Sequence, residues 1–227
     1  MRKEHPVKIL VLDIGGSHVK VLMSGKRTPL KLPSGPKLTA RAMAKAVIAA
    51  TADWDYDAVS IGFPGPVRDN KPIKEPINLG TGWVRFDYRK AFKKPVKMVN
   101  DAAMQALGSY EGGHMLFLGL GTGLGTTLIS DGSVIPLEIA HLPYQEGKTY
   151  EDYVGDAGRK RLGEKKWAGH VERIVEMFLA ALNAEYAVLG GGNVRHVEEL
   201  PAHCHRGSNR NAFAGGYRLW KKGVRIP

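Results

Sequence analysis

Short apolar runs ended by glycine, proline or polar pairs recur along this chain. Their spacing alternates between the two-residue period of strands and the longer period of helices. Lys8 to Asp13, Val19 to Met23 and Thr28 to Leu32 read as three consecutive strands, with Ser24-Gly25-Lys26-Arg27 as a hairpin turn and Pro29 weakening the third. Thr39 suits the N-cap of a helix over Ala40 to Ala50, whose apolar positions Met43, Val47 and Ile48 share one face. A strand over Ala58 to Ile61 then runs into Gly62-Phe63-Pro64-Gly65-Pro66, where the prolines stop regular structure, and a polar loop follows from Arg68 to Gly82.

The second half repeats the alternation without repeating the sequence. Val96 to Val99 predicts a strand and Ala102 to Leu107 a helix, with Asn100-Asp101 at their junction. Met115 to Leu118 leads into Gly119-Leu120-Gly121-Thr122-Gly123-Leu124-Gly125, then a short strand at Ser133 to Ile135 and a loop over Pro136 to Lys148. Helices resume near Tyr150, and Val171, Ile174, Val175, Phe178, Leu179 and Leu182 predict a buried helix face. Ala187 to Leu189 reads as a buried strand ending in Gly190-Gly191-Gly192-Asn193, and Asn211 to Trp220 as a last helix packing back on the start of the chain. This order predicts an α/β protein of two lobes, 1–100 (joined by 211–227) and 101–210.

Its 227 residues are enough for two such cores. No apolar run approaches the roughly 20 residues of a membrane span, and Met1 to Pro6 contain no apolar signal core, so a cytoplasmic protein is expected. Cys204, the single cysteine, has no internal disulfide partner. His203-Cys204-His205 lacks a fourth nearby ligand, and neighbours on a strand point opposite ways, which argues against a metal there. The formal net charge of +11 attracts polyanions, with nucleic acid, a membrane surface and a polyphosphate chain as candidates, or else serves solubility alone.

The chemistry concentrates at the glycine turns. Asp13-Ile14-Gly15-Gly16-Ser17 and Gly121-Thr122-Gly123 each follow an apolar strand, and glycine lets backbone N–H groups approach an anion closely. Between them, Asp101 stands where a strand ends and a helix begins, which is where ligands bind in open α/β sheets. Phosphoryl transfer needs such parts: backbone donors on phosphates, a carboxylate-held magnesium ion and a base near the attacking hydroxyl. Asp101 is equally suited to be a helix N-cap.

At this point the chain resembles the ROK family of sugar kinases and repressors, within the two-lobed actin-like/hexokinase-like (ribonuclease H-like) ATPase fold. The resemblance runs along nearly the whole chain. It is carried by Leu12 to Ser17, Ile61 to Gly65, Val99 to Ala102, Gly121 to Gly125, Glu138-Ile139-Ala140-His141 and Leu189 to Gly192. Within the family the chain looks most like the polyphosphate glucokinases. Leu142 to Asp152 contain no cysteine, so no zinc is implied.

The resemblance implies a kinase that transfers a phosphoryl group from polyphosphate, ATP or both to the 6-hydroxyl of glucose. Asp101 would be the general base, and Asn78, Asn100, Glu138, His141 and Glu151 would bind the sugar with it. Gly15, Gly16, Ser17, Gly121, Thr122 and Gly123 would bind phosphates, with Lys20 adding charge. Gly190, Gly191 and Gly192 would face a nucleotide, and Asp13 would hold Mg2+ through water. Glu151 could instead be a solvent-facing residue of a helical first turn, and Lys20 a surface strand residue. Ala140 stands where the family has glycine, which bears on the placing of His141.

Three alternatives stand beside this expectation: another hexose, an N-acetylated amino sugar, or a ROK-like sugar-sensing regulator that binds DNA. A first strand near Val7 leaves no room for a preceding DNA-reading domain, so no specific nucleic acid and no membrane partner are expected. The resemblance also implies a homodimer.

Overall fold

The computed structural model describes residues 7–208 and 210–227. The start of the chain, 1–6, read above for a signal core, lies outside the described residues. The first half forms β1 (Ile9–Ile14), β2 (His18–Met23), β3 (Leu30–Pro33), α1 (Ala40–Ala50), β4 (Ala58–Phe63), the hairpin β5 (Val67–Arg68) and β6 (Lys71–Pro72), α2 (Tyr88–Phe92) and β7 (Val96–Asn100). Then come α3 (Asp101–Ser109), β8 (His114–Leu120), β9 (Leu124–Ser130), β10 (Ser133–Leu137), β11 (Pro143–Gln145) and β12 (Lys148–Thr149). The chain continues through α4 (Tyr150–Val154), α5 (Asp156–Leu162), α6 (Glu164–Ala181), β13 (Tyr186–Gly190), β14 (Cys204–Arg206) and α7 (Asn211–Arg218).

Two five-stranded sheets share one plan. The first is ordered β3-β2-β1-β4-β7 and the second β10-β9-β8-β13-β14. In each, the first three strands in sequence pair antiparallel and the next two add parallel to the sheet. The fold is thus duplicated although the sequence is not.

β1 is buried at all six positions, as a central strand covered on both faces must be. Its alternation sends Leu10, Leu12 and Ile14 into a core with α1 and α2. Ile9 and Val11 go into a second core with α3, α7 and the second sheet. Asp13, at 7% exposure, continues the Ile9–Val11 face toward α3. A third core lies on the far side of the second sheet under α4 and α6.

The pattern predicted α1 to the residue, and Thr39 accepts a hydrogen bond from Ala42 N–H as its cap. Met43 and Val47 are buried as expected, whereas Ile48 is 39% exposed. α6 starts seven residues before the predicted Val171, because its first two turns bury only Trp167 and give no apolar period. α2, β14 and the β5–β6 hairpin were not predicted. Asp69 and Asn70 both adopt positive φ there, the geometry that closes a tight hairpin.

α7 lies between the two sheets. The Ser60 hydroxyl donates to Gly216 O at 2.6 Å, Trp220 Nε1 to Ser60 Oγ at 2.8 Å, and Lys97 Nζ to Leu219 O at 2.7 Å. Arg218 donates to the carbonyls of Leu107 and Tyr110 at 2.8 Å each. Among the described residues, no helix is long and apolar enough to cross a membrane.

Candidate active site

Between the sheets lies a cleft of about 770 Å³. Asp101 is on its floor, at the first position of α3. The N-cap is its neighbour: Asn100 Oδ1 accepts from Ala102 N at 2.9 Å and Ala103 N at 3.3 Å. This corrects the capping role considered for Asp101, whose carboxylate accepts from Ala102 N at 2.8 Å and is otherwise available. Asn100 Nδ2 also donates to Gly65 O at 3.2 Å, so the amide expected to bind sugar holds the proline loop against the helix start. At Gly62 a methyl group would collide with the end of the Met104 side chain, with Asp101 Cα at ordinary contact distance.

Burial pushes the Asp101 carboxyl up to about 7, and the negative charge of Asp13 adds to this. Backbone N–H groups and the Lys20 cation pull the other way. Lys20 stands opposite Asp13 in the β1–β2 register, and its Nζ lies 3.0 Å from Asp13 Oδ2. Its ammonium is thus engaged by Asp13 while its side chain stays 34% exposed.

Asn78, Asn100, Asp101, Glu138, His141 and Glu151 all line the cleft, although they come from loops far apart in sequence. Ala140 is 4% exposed and packs into the third core, and His141 beside it still reaches the cleft wall. Glu151 is half-buried in the first turn of α4, with Leu124 N donating to its Oε2 at 3.0 Å. It braces the second glycine turn and does not face solvent freely.

Of the glycine turns, Gly15, Gly16, Gly121, Thr122, Gly123 and Gly191 line the cleft. Asp13, Ser17, Lys20, Gly190 and Gly192 do not. Gly190 is buried behind Phe117, while Asp13 is buried and Lys20 half-buried outside the cleft lining, and both act on Asp101 through charge. Gly15 N is already bonded to His18 O, and Gly121 N to Gly123 O, at 3.0 Å each. The backbone donors left for an anion are those at the tips of the turns. Gly191 has φ +83°, and a side chain there would strike Leu120 O, so the third turn stacks directly on the end of β8.

Sequence reasoning missed two residues. Asn193, 7% exposed, donates from Nδ2 to Gly121 O at 2.9 Å and so ties the third turn to the second. Gln105 lines the cleft one helical turn beyond Asp101, and its Oε1 is buried without a partner. The four-residue spacing on α3 was the available signal. Among the described residues, no three His, Cys, Asp or Glu side chains gather as a metal cluster. Cys204 is half-buried in β14, and burial pushes its thiol up to about 11.

No protein-family model matches the chain. The polyphosphate glucokinase of Mycobacterium leprae (strain TN) is 25% identical over 209 residues, 84% of this chain and 60% of that protein. The chain thus spans about three-fifths of that relative's length. The crystal structure of an inorganic polyphosphate/ATP-glucomannokinase from Arthrobacter sp. strain KM superposes with a TM-score of 0.78 at 21% identity, over 94% of this chain and 98% of that one. A ROK family glucokinase from Streptomyces griseus, solved with glucose and AMPPNP, gives 0.68 at 18% identity, over 93% and 98%. In sequence over most of its length, and in its two-sheet α/β fold, the chain resembles the ROK sugar kinases and, among them, the polyphosphate glucokinases.

Proposed function

We propose that this protein is a sugar kinase that moves a phosphoryl group from polyphosphate or ATP to the 6-hydroxyl of glucose. The observation that carries this reading is the position of Asp101. It stands on the cleft floor between a polar set suited to sugar hydroxyls and the tips of the glycine turns, with a carboxyl held near neutrality.

In its ionised form Asp101 accepts the proton of the 6-hydroxyl as that oxygen bonds to the terminal phosphorus. The bond from phosphorus to the bridging oxygen breaks, and its electron pair leaves with the shortened polyphosphate or ADP. Asn78, Glu138, His141 and Glu151 orient the sugar, while the backbone at Gly16, Thr122 and Gly123 meets the phosphates.

Asp13, buried behind the cleft lining, would hold a magnesium ion through water. Its buried carboxylate has one oxygen paired with Lys20 and the other left over, and Mg2+ is commonly held by one or two carboxylates together with phosphate oxygens and water. When bound, Mg2+ neutralises charge on the donor phosphates.

The two lobes follow the sheets in this reading, 1–100 with 211–227 packed back, and 101–210. A cytoplasmic location and a homodimer go with it on the strength of the resemblance. The test is glucose 6-phosphate formation with Mg2+, run in parallel with polyphosphate and ATP. Turnover with either donor is expected, and no glucose 6-phosphate from either would overturn the assignment.

A further inference from the structure

Part of the positive charge that the sequence left without a place gathers on the face formed by α1 and α2. Within 85–94, around α2, stand Arg85, Arg89, Lys90, Lys93 and Lys94 against a single acid, Asp87. Arg41 and Lys45 lie one turn apart on α1, which packs beside α2. Two cavities run along this face and share Arg85, Phe86 and Asp87. One, of about 670 Å³, is bordered by Lys71 and Arg89. The other, of about 720 Å³, lies between the helices and is walled by Arg41, Lys45 and Lys90 over an apolar floor of Ala44, Ile48, Ala49 and Ala91.

These cations form no ion pair among the described residues, although Asp69 and Asp87 line the cavities with them and Lys94 feels the charge of Asp55. Among the described residues, every ion pair lies elsewhere in the protein, for example where Arg159 and Lys160 are both paired with Asp156. Asp87 is engaged as the N-cap of α2, accepting from Lys90 N at 2.9 Å. Unpaired cations in a concave surface focus the field and raise the local concentration of anions.

The chain links the first cavity to the active site. Lys71 borders the first cavity, and Ile73 and Lys74, two and three residues on, line the catalytic cleft. The form of the track selects among polyanions. Its grooves suit a thin flexible chain better than a rigid duplex. Among the residues lining the two cavities, Phe86 is the half-exposed aromatic ring and packs edge-on against Tyr88 at 5.0 Å, so successive bases would find no series of rings to stack on.

We propose that this basic track is an exosite for the distal part of a long inorganic polyphosphate chain whose end is presented to the cleft. The proposal rests on the polyphosphate reading above for its role in turnover, but binding is measurable without it.

The test compares wild type with Arg85→Glu/Lys90→Glu and with the milder Arg85→Gln/Lys90→Gln, all checked for unchanged thermal melting. With long-chain polyphosphate the KM should rise about tenfold or more, and the salt dependence of binding should weaken. With tripolyphosphate or ATP, KM should stay within about twofold. Equal changes with all donors, or no change with the long chain, would overturn the exosite. Gel retardation of long-chain polyphosphate separates the two ideas. Binding by wild type that the variants lose, without turnover, supports the track and removes the polyphosphate-kinase reading. Turnover that the variants retain in full does the reverse. Preference for duplex DNA or RNA over polyphosphate in competition would also overturn the proposal.

Discussion

Lys20 Nζ sits 3.0 Å from Asp13 Oδ2, and the pair together sets the charge felt by Asp101. The two members act in opposite directions: Asp13 raises the Asp101 pKa and Lys20 lowers it. Lys20→Met should therefore push the Asp101 titration above 7, and Asp13→Asn should pull it below. Carboxyl NMR titration of the free protein reads this directly, independently of any metal effect on turnover. Shifts in the same direction for both variants would sink the account. Lys20→Met also leaves a carboxylate at 10% side-chain exposure without its partner, for a loss of about 1–3 kcal/mol after allowing for the partial exposure of Lys20.

Asp101→Asn keeps the size of the side chain and removes its basicity. Turnover should fall by about 10²–10⁴-fold with the fold intact. In wild type, kcat/KM should rise with pH through an apparent pKa near 7, since the ionised form is the base. Stability moves the other way. A carboxyl raised from 3.8 to about 7 in the folded state opposes folding once ionised. This penalty is absent below about pH 4, grows between 4 and 7, and is full above 7. The Asn variant should therefore melt higher than wild type at pH 8 and equally at pH 4. A lower melting temperature at pH 8, or activity within a few-fold of wild type, would contradict the assignment.

Much of this was legible because the signals were local. The alanine-rich run behind Thr39 gave α1 its bounds, and motifs at Asp13, Asp101, Gly121 and Glu138 placed the cleft. The cap assignment slipped by one residue because Asn100 and Asp101 both suit an N-cap, and only the hydrogen bonds separate them. Lys20 was illegible for another reason. Its partner is chosen by strand register, a property of the pairing between β1 and β2 and of neither strand alone. β14 has three residues at a sheet edge, too few for a period to show.

Asn193 carries the coupling between the second and third glycine turns. Asn193→Ala removes the bond to Gly121 O, which keeps Asp156 N as a donor, so the loss should be about 1 kcal/mol. If the turns together hold the phosphoryl donor, its KM should rise about fivefold while the sugar KM stays within twofold. A selective rise in the sugar KM would place this turn on the wrong side of the cleft.

Gly215 and Gly169, both in helices, should respond to alanine with opposite signs. Gly215 on α7 and Gly108 on α3 let the backbones touch: a methyl group at Gly215 would strike Met104 O, and one at Gly108 would strike Asn211 O. Because the obstructing atoms are backbone carbonyls, no rotamer change relieves the contact, and the helices must move apart. Gly215→Ala should lose about 3 kcal/mol or more and weaken the seam between the sheets. Gly169 on α6 is exposed, and a methyl group there would meet nothing within 4 Å on an ordinary helical backbone. Gly169→Ala should gain about 0.5–1 kcal/mol through helix propensity. Chemical denaturation of both variants checks the pair, and similar effects from the two would mean that the α3–α7 crossing is not held by backbone contact.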